Sequence, residues 1–260
     1  MTTSAVTDDA VTLNVRVDGA QDGEHLLLSN SLGTDLSMWE RQLPAWSDRF
    51  SIARYDIRGH GKSDGPAGDY SIERLGRDAL AVADALGWQQ FDFCGVSLGA
   101  MTGFWLAINA PHRLKRLVLA NGAPFAGGAP AWSGRLQAAA EGGLAAVAGG
   151  TISRWFTPDF AAANPALVEA IHSAFMATSL EGYLGCTAAI RDLDLRHSVG
   201  GIAVLILLIG ATHDQGPLPE VIEGLAGRIP GAKAVILDAA HLSNIEASEA
   251  FNSAVLEFLA

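Results

Sequence analysis

The sequence predicts an α/β fold in which a mainly parallel β-sheet is flanked by helices and covered by a helical cap. Two observations support this prediction. Short apolar runs of strand length alternate with longer segments of helical periodicity. Most of these apolar runs are rich in β-branched or aromatic residues, which suits strands that are buried on both faces of a parallel sheet. The alternation is interrupted once, and the interruption is long enough to form a cap.

The predicted elements follow in chain order. The first strand alternates with period two and ends at the turn residues Asp18 and Gly19. Strands are predicted over residues 11–17, 25–30, 51–56, 91–96, 117–121, 203–210 and 232–238. Helices are predicted over residues 71–86, 99–110, 218–228 and 248–259.

The interruption lies between the predicted strands 117–121 and 203–210, where only helical patterns occur. We expect residues 1–122 and 201–260 to form the core, and residues 123–200 to form a helical cap over the carboxyl edge of the sheet. Ligands of open α/β sheets bind at that edge. The alternative is that these helices merely extend the core.

Composition narrows the possible partners. The chain has 260 residues, a net charge of -11 and a pI near 4.9. This balance argues against nucleic acid or an anionic membrane as the main partner, although one buried arginine could still bind a small anionic substrate. The two cysteines form no metal-ligand spacing. Without a signal-peptide pattern or a membrane-length apolar run, we expect a soluble cytoplasmic protein, whose oligomeric state the sequence leaves open.

The strongest chemical signal is Gly95-x-Ser97-x-Gly99, which follows an apolar strand and precedes a helical pattern. A nucleophile placed on a sharp strand-to-helix turn requires this context, and the flanking glycines remove side chains that would collide. Ser97 is therefore the predicted nucleophile. A serine hydroxyl needs a nearby base, and the base needs an acid that orients it.

His241 and Asp214 are the predicted base and acid. His241 follows strand 232–238 and precedes the last helix, and Asp214 follows strand 203–210. The order Ser97, Asp214, His241 is that of the α/β-hydrolase fold. The backbone N–H groups of Leu98 and Leu32 are the predicted oxyanion hole. The segment 56–63 (Asp-x-Arg-Gly-His-Gly-x-Ser) is predicted to be a structural turn.

At this point the sequence resembles the 3-oxoadipate enol-lactone hydrolases of bacterial aromatic-compound degradation. The resemblance extends over nearly the whole chain, but Asn30 and Ser31 stand where most relatives have a histidine-glycine pair. The matching blocks are residues 28–39, 54–63, the serine turn, 154–157, 212–214 and 241–246.

The resemblance implies hydrolysis of a small anionic lactone with no cofactor and no metal. The lactone carries an acetate arm, whose carboxylate needs a cationic partner. Arg135 is the expected partner and Arg154 the next candidate, while Trp132 and Trp155 are expected to form pocket walls. Two alternatives stay open: a carboxylesterase or C–C hydrolase that acts on another small substrate, and a ligand receptor of the same fold that turns over slowly.

Overall fold

The computed structural model describes all 260 residues and contains one eight-stranded sheet. The strands are β1 (Thr2–Val6), β2 (Thr12–Gly19), β3 (Glu24–Ser29), β4 (Phe50–Tyr55), β5 (Phe91–Val96), β6 (Leu114–Ala120), β7 (Leu205–Ala211) and β8 (Lys233–Leu237). Their spatial order is β1-β2-β4-β3-β5-β6-β7-β8. The pairs β1–β2 and β2–β4 are antiparallel, and all other pairs are parallel. The predicted mainly parallel sheet is confirmed.

The helices occupy the connections between strands. They are α1 (Leu43–Trp46), α2 (Ile72–Ala85), α3 (Leu98–Asn109), α4 (Gly128–Gly142), α5 (Ala145–Ile152), α6 (Pro158–Ala163), α7 (Pro165–Met176), α8 (Leu180–Arg191), α9 (Pro219–Ala226), α10 (Ser243–Glu246) and α11 (Ser248–Phe258). Short 3-10 turns cover Leu36–Trp39, Pro111–Arg113 and Val199–Gly201. None of the helices combines the length and apolarity that crossing a bilayer requires.

The chain order creates a switch point at β3. Strand β3 lies between β4 and β5, so the chain leaves β3 towards one side of the sheet and later returns to its other side. The carboxyl ends of β3 and β5 lie side by side, with Ser29 opposite Gly95. Such a crevice is where ligands bind in open α/β sheets.

The N-terminal strand β1 was not predicted from the sequence. Only Ala5 of this strand is buried, and Val6 is 65% exposed. The strand is held by its antiparallel ladder with β2, so its conformation depends on a partner that local periodicity does not show.

The five helices α4 to α8 all lie between β6 and β7. The two ends of this segment meet, because Phe125 and Asp194 form an isolated bridge and the Leu195 N–H donates to the Pro124 carbonyl at 2.9 Å. The predicted helical character of this region is seen. The division at residues 123 and 200 stays a prediction.

Candidate active site

Ser97 lies between β5 and α3 in a strained backbone conformation. Its φ is +56°, a region that non-glycine residues rarely adopt. The flanking glycines are required by space: a Cβ on Gly95 would lie 2.3 Å from the Gly99 backbone, and one on Gly99 would lie 2.1 Å from the Ser29 carbonyl oxygen. The turn therefore places the Ser97 side chain at the carboxyl edge of the sheet.

The structure brings the three predicted catalytic side chains together. The Ser97 Oγ lies 2.9 Å from Nε2 of His241. Nδ1 of His241 lies 2.9 and 3.0 Å from the two carboxylate oxygens of Asp214. Because an ionised carboxylate only accepts hydrogen bonds, Nδ1 carries the imidazole proton and Nε2 is free to accept the serine proton. The arrangement can therefore activate Ser97 as a nucleophile.

Two groups that the sequence did not predict, one side chain and one backbone N–H, hold Asp214 in place. The Asn121 amide donates to Oδ2 of Asp214 at 2.9 Å, and the Gly216 N–H donates to Oδ1 at 2.8 Å. The Ser243 hydroxyl donates in turn to Oδ1 of Asn121 at 2.5 Å. Asn121 and Ser243 are both fully buried. The sequence did carry one signal for Asn121, a polar residue directly after an apolar strand.

These contacts decide the charge of the acid. Burial alone would raise the pKa of the Asp214 carboxyl, but His241, the Asn121 amide and the Gly216 N–H outweigh it and hold the pKa below its usual value. Asp214 is therefore ionised across the neutral range, as orientation of the His241 imidazole requires.

The two predicted oxyanion donors come from two loops that are in contact: Leu98 directly follows Ser97, and Leu32 lies in the loop after β3, whose Asn30 carbonyl accepts from the Gly99 N–H at 3.0 Å. Leu98 begins α3, so its N–H lacks an acceptor in a preceding turn. The N–H of Leu32 lies in the loop after β3 and donates to no protein atom. Both residues are buried, at 0% and 4% exposure. An unpaired buried N–H is costly unless an incoming group accepts its hydrogen bond.

A cavity of about 840 Å³ opens above Ser97 and contains the predicted cap residues Arg135, Trp132 and Trp155 in its walls. Trp155 is buried and packs edge-on against Phe175. Arg135 stacks over Trp132, with its guanidinium carbon 5.2 Å from the ring centre.

The two cavity arginines have different surroundings. Nε of Arg135 donates to the Tyr183 hydroxyl at 2.5 Å, and one terminal nitrogen donates to Thr151 at 2.9 Å. Arg154 also lines the cavity, but its guanidinium has no hydrogen bond or ion pair with the protein. Partial burial, and then the charge of Arg135, lower the pKa of Arg154. Neither cation has a carboxylate partner, so an anionic ligand would meet unpaired positive charge.

No group of three or more His, Cys, Asp or Glu side chains is arranged to hold a metal ion.

Comparison with known proteins agrees with this geometry. The profile of the family described as "alpha/beta hydrolase fold" matches residues 24–205. The 3-oxoadipate enol-lactonase 2 of Acinetobacter baylyi is 40% identical, with 96% of this chain and 94% of that protein covered. The crystal structure of the enol-lactonase from Burkholderia xenovorans LB400 superimposes with a TM-score of 0.96 at 40% identity, covering 99% of both chains. The 3-oxoadipate enol-lactonase 1 of Acinetobacter baylyi is 33% identical, with 92% of this chain and 90% of that protein covered. The chain therefore belongs to the α/β-hydrolase family and, within it, to the 3-oxoadipate enol-lactonase group of hydrolases.

Proposed function

We propose that this protein opens the ring of 3-oxoadipate enol-lactone to give 3-oxoadipate, with Ser97 as nucleophile, His241 as general base and Asp214 as the group that orients the base. The proposal rests on one juxtaposition: an assembled Ser-His-Asp site shares its cavity with two arginines that have no carboxylate partner. A triad alone would suit many esters. The cationic wall selects an ester or lactone that carries a negative charge.

Acylation begins when the Ser97 oxygen attacks the lactone carbonyl carbon while His241 Nε2 takes the hydroxyl proton. The negative charge that develops on the carbonyl oxygen is received by the N–H groups of Leu98 and Leu32. One such donor typically contributes about 3 kcal/mol to transition-state stabilisation. Collapse of this intermediate breaks the bond between the acyl carbon and the ring oxygen, and the enolate takes the proton from His241.

The leaving group stays attached, because the enolate and the acyl group belong to the same opened ring. Hydrolysis then follows: a water molecule gives a proton to His241 and attacks the acyl carbon. The second collapse releases the new carboxylate, and Ser97 regains its proton. An enolate leaves readily, so orientation of the lactone is the main demand on the cavity.

We assign the carboxylate of the acetate arm to the two guanidinium groups of the cavity. The sequence predicts Arg135 as the first candidate, but two of its nitrogens already donate to Tyr183 and Thr151. All N–H groups of the Arg154 guanidinium are free to bind a ligand. A carboxylate bound between them would also offset the repulsion between the two cations.

The test compares an anionic and an uncharged substrate on matched variants. Arg154→Leu should raise KM for the enol lactone about tenfold or more, the scale of a lost charge-assisted contact. Hydrolysis of p-nitrophenyl acetate should stay within about twofold of wild type. Arg77→Leu, on the exposed face of α2, is the control for loss of a positive charge elsewhere. The Arg135→Leu variant should show the same substrate preference together with a loss of stability, because Tyr183 and Thr151 lose their partner.

Two outcomes would contradict this assignment. Equal loss on both substrates would make Arg154 structural. A wild-type protein with a higher kcat/KM for p-nitrophenyl acetate than for the lactone would refute the lactonase proposal in favour of a general carboxylesterase.

A further inference from the structure

His60 is a buried histidine that the proposed reaction does not use. It lies in the turn after β4, within the segment 56–63 that the sequence marked as structural, and is 1% exposed. A fully buried imidazole needs partners for both ring nitrogens. Those partners connect it to the loop after β3.

The two partners determine which nitrogen carries the proton. Nδ1 of His60 lies 3.1 Å from the carbonyl oxygen of Arg58, which can only accept. Nε2 lies 2.9 Å from the backbone nitrogen of Gly33, whose N–H can only donate. His60 is therefore the Nδ1–H tautomer, with the lone pair of Nε2 directed at Gly33. Burial lowers the pKa of His60 to about 4, so the ring stays neutral in this role at neutral pH.

The peptide that His60 holds directly follows the predicted oxyanion donor Leu32. Fixing the Gly33 N–H fixes the plane of the Leu32–Gly33 peptide, and so limits rotation of the Leu32 backbone. Other contacts hold the residues on either side of this peptide. Before it, the Asn30 carbonyl accepts from the Gly99 N–H at 3.0 Å. After it, Thr34 donates to the Ser31 carbonyl from its N–H at 3.2 Å and from its hydroxyl at 2.8 Å. The Gly33 N–H lies between these anchors, and His60 is its acceptor.

A residue with a side chain, which would stiffen the loop, cannot replace Gly33. Its φ is +78°, and a Cβ there would lie 2.5 Å from the Phe175 ring. The Gly33 peptide is therefore held by an acceptor from another turn, not by a stiffer residue at this position. A carboxylate in the place of His60 would put a negative charge near the developing oxyanion. A cationic side chain would direct an N–H group at the Gly33 N–H, and neither group could accept a hydrogen bond from the other. A neutral imidazole avoids both.

We infer that His60 is a positioning residue for the reaction: by accepting a hydrogen bond from Gly33, it holds the Leu32 N–H in the direction that receives the oxyanion. This inference rests on the proposed serine mechanism and deepens it, because it assigns a function to a turn that otherwise counts as structural. It predicts a defect in the transition state with little change in ground-state binding.

The experiment compares His60→Leu, which removes the acceptor, with His60→Gln, whose amide oxygen can reach the position of Nε2. His25→Gln is the matched control, because His25 stacks on Trp88 and contacts no residue of the site. Three kinds of measurement are made on each variant. The first is kcat and KM for the lactone and for p-nitrophenyl acetate, the second is inhibition by phenylboronic acid, and the third is inhibition by 3-oxoadipate. The boronate forms a tetrahedral adduct with a catalytic serine and places an oxygen in the oxyanion position.

We expect His60→Leu to lower kcat about tenfold or more on both substrates and to raise the inhibition constant of phenylboronic acid by a similar factor. The KM values and the inhibition constant of 3-oxoadipate should stay within about twofold of wild type. His60→Gln should recover part of the loss, and His25→Gln should behave as wild type. Unchanged boronate affinity in His60→Leu would overturn the inference, as would equal losses in boronate and 3-oxoadipate affinity.

Two further features keep the test decisive. If His60→Leu does not fold, nitrogen NMR of the wild-type protein still reads the tautomer, and a proton on Nε2 of His60 would refute the inference. If the wild-type protein fails to open the lactone, the proposed function is refuted but the inference about His60 is still tested, because the p-nitrophenyl acetate and boronate measurements do not depend on the lactone.

Discussion

Removal of the Asn121 side chain should destabilise the protein in a way that depends on the charge of Asp214. The Asn121 amide donates to Asp214 Oδ2 at 2.9 Å, and both residues are buried. A hydrogen bond to a charged group contributes about 1.5–3 kcal/mol. Its loss should also raise the pKa of Asp214, because the ionised carboxylate loses a donor that favours its charged form. We therefore expect the free energy of unfolding to fall by about 2 kcal/mol at pH 7.

The choice of variant matters because Asn121 has a φ of +51°. Asn121→Gly removes the amide without strain, whereas Asn121→Ala adds the cost of an alanine in the left-handed region, about 1 kcal/mol. The glycine variant therefore measures loss of the amide with its hydrogen bonds to Asp214 and Ser243, and the difference between the two variants measures backbone strain. Ser243→Ala, which leaves the Asn121 amide in place, should have a smaller effect than either.

The sign of the pH dependence follows from the lowered pKa of Asp214. A carboxyl with a depressed folded-state pKa stabilises the protein above its unfolded value, and the stabilisation is lost as pH falls through the folded pKa. The difference between wild type and Asn121→Gly should be complete at pH 7. It should narrow in the acid range as Asp214 becomes protonated, first in the variant and then in wild type.

Urea unfolding followed by tryptophan fluorescence can measure this difference, at pH 7 and at the lowest pH where both proteins still fold. Turnover of p-nitrophenyl acetate should also fall in Asn121→Gly, by about threefold to tenfold, because one carboxylate oxygen loses its anchor. An unfolding difference that is the same at both pH values would refute the reasoning, since the contact would then not depend on the charge of Asp214.

Three further outcomes are expected. Ser97→Ala should lower turnover by at least about a thousandfold without a large change in the unfolding midpoint, and more than a tenth of wild-type activity would exclude Ser97 as the nucleophile. Asp78→Ala should cost about 2–3 kcal/mol in urea unfolding, because it removes the buried partner of Arg58 at 2.5 Å and leaves only the more exposed Asp9 at 3.0 Å; a loss below about 1 kcal/mol would contradict this. Glu246→Gln should lower stability by about 1–2 kcal/mol, since both carboxylate oxygens accept hydrogen bonds, from Thr157 and from the Ala240 N–H, whereas an amide has only one acceptor oxygen. Thermal unfolding measures this loss, and an unchanged midpoint would count against it.

The features that the sequence predicted well either lie within a few residues of one another or follow successive strands of the sheet in chain order. The serine turn is local, because Gly95, Ser97 and Gly99 are set by one strand and one helix. Asp214 and His241 could be found because each follows a strand of the sheet, and parallel strands bring their carboxyl ends to one edge.

What the sequence did not predict depends on contacts between distant segments. The link from Ser243 through Asn121 to Asp214 joins three separate loops, and no motif shows that they meet. No sequence pattern indicates that Arg135 donates to the Tyr183 hydroxyl on another helix, and the preference for Arg135 over Arg154 stays a prediction. The hydrogen bond from Gly33 to His60 likewise joins two turns whose separation in the chain hides it.

Tertiary contacts also join the segment around Arg154 to the loop that carries His241. The Leu242 N–H, next to the base His241, donates to the Trp155 carbonyl at 3.1 Å. The Glu246 carboxylate accepts from the Ala240 N–H at 2.8 Å and from Thr157. Trp155 and Thr157 lie just before α6 and next to Arg154, so one short segment contacts the His241 loop and carries the arginine proposed to bind the substrate carboxylate. A change in the backbone of this segment should therefore impair lactone binding and proton transfer together, whereas loss of the Arg154 side chain alone should affect only the anionic substrate.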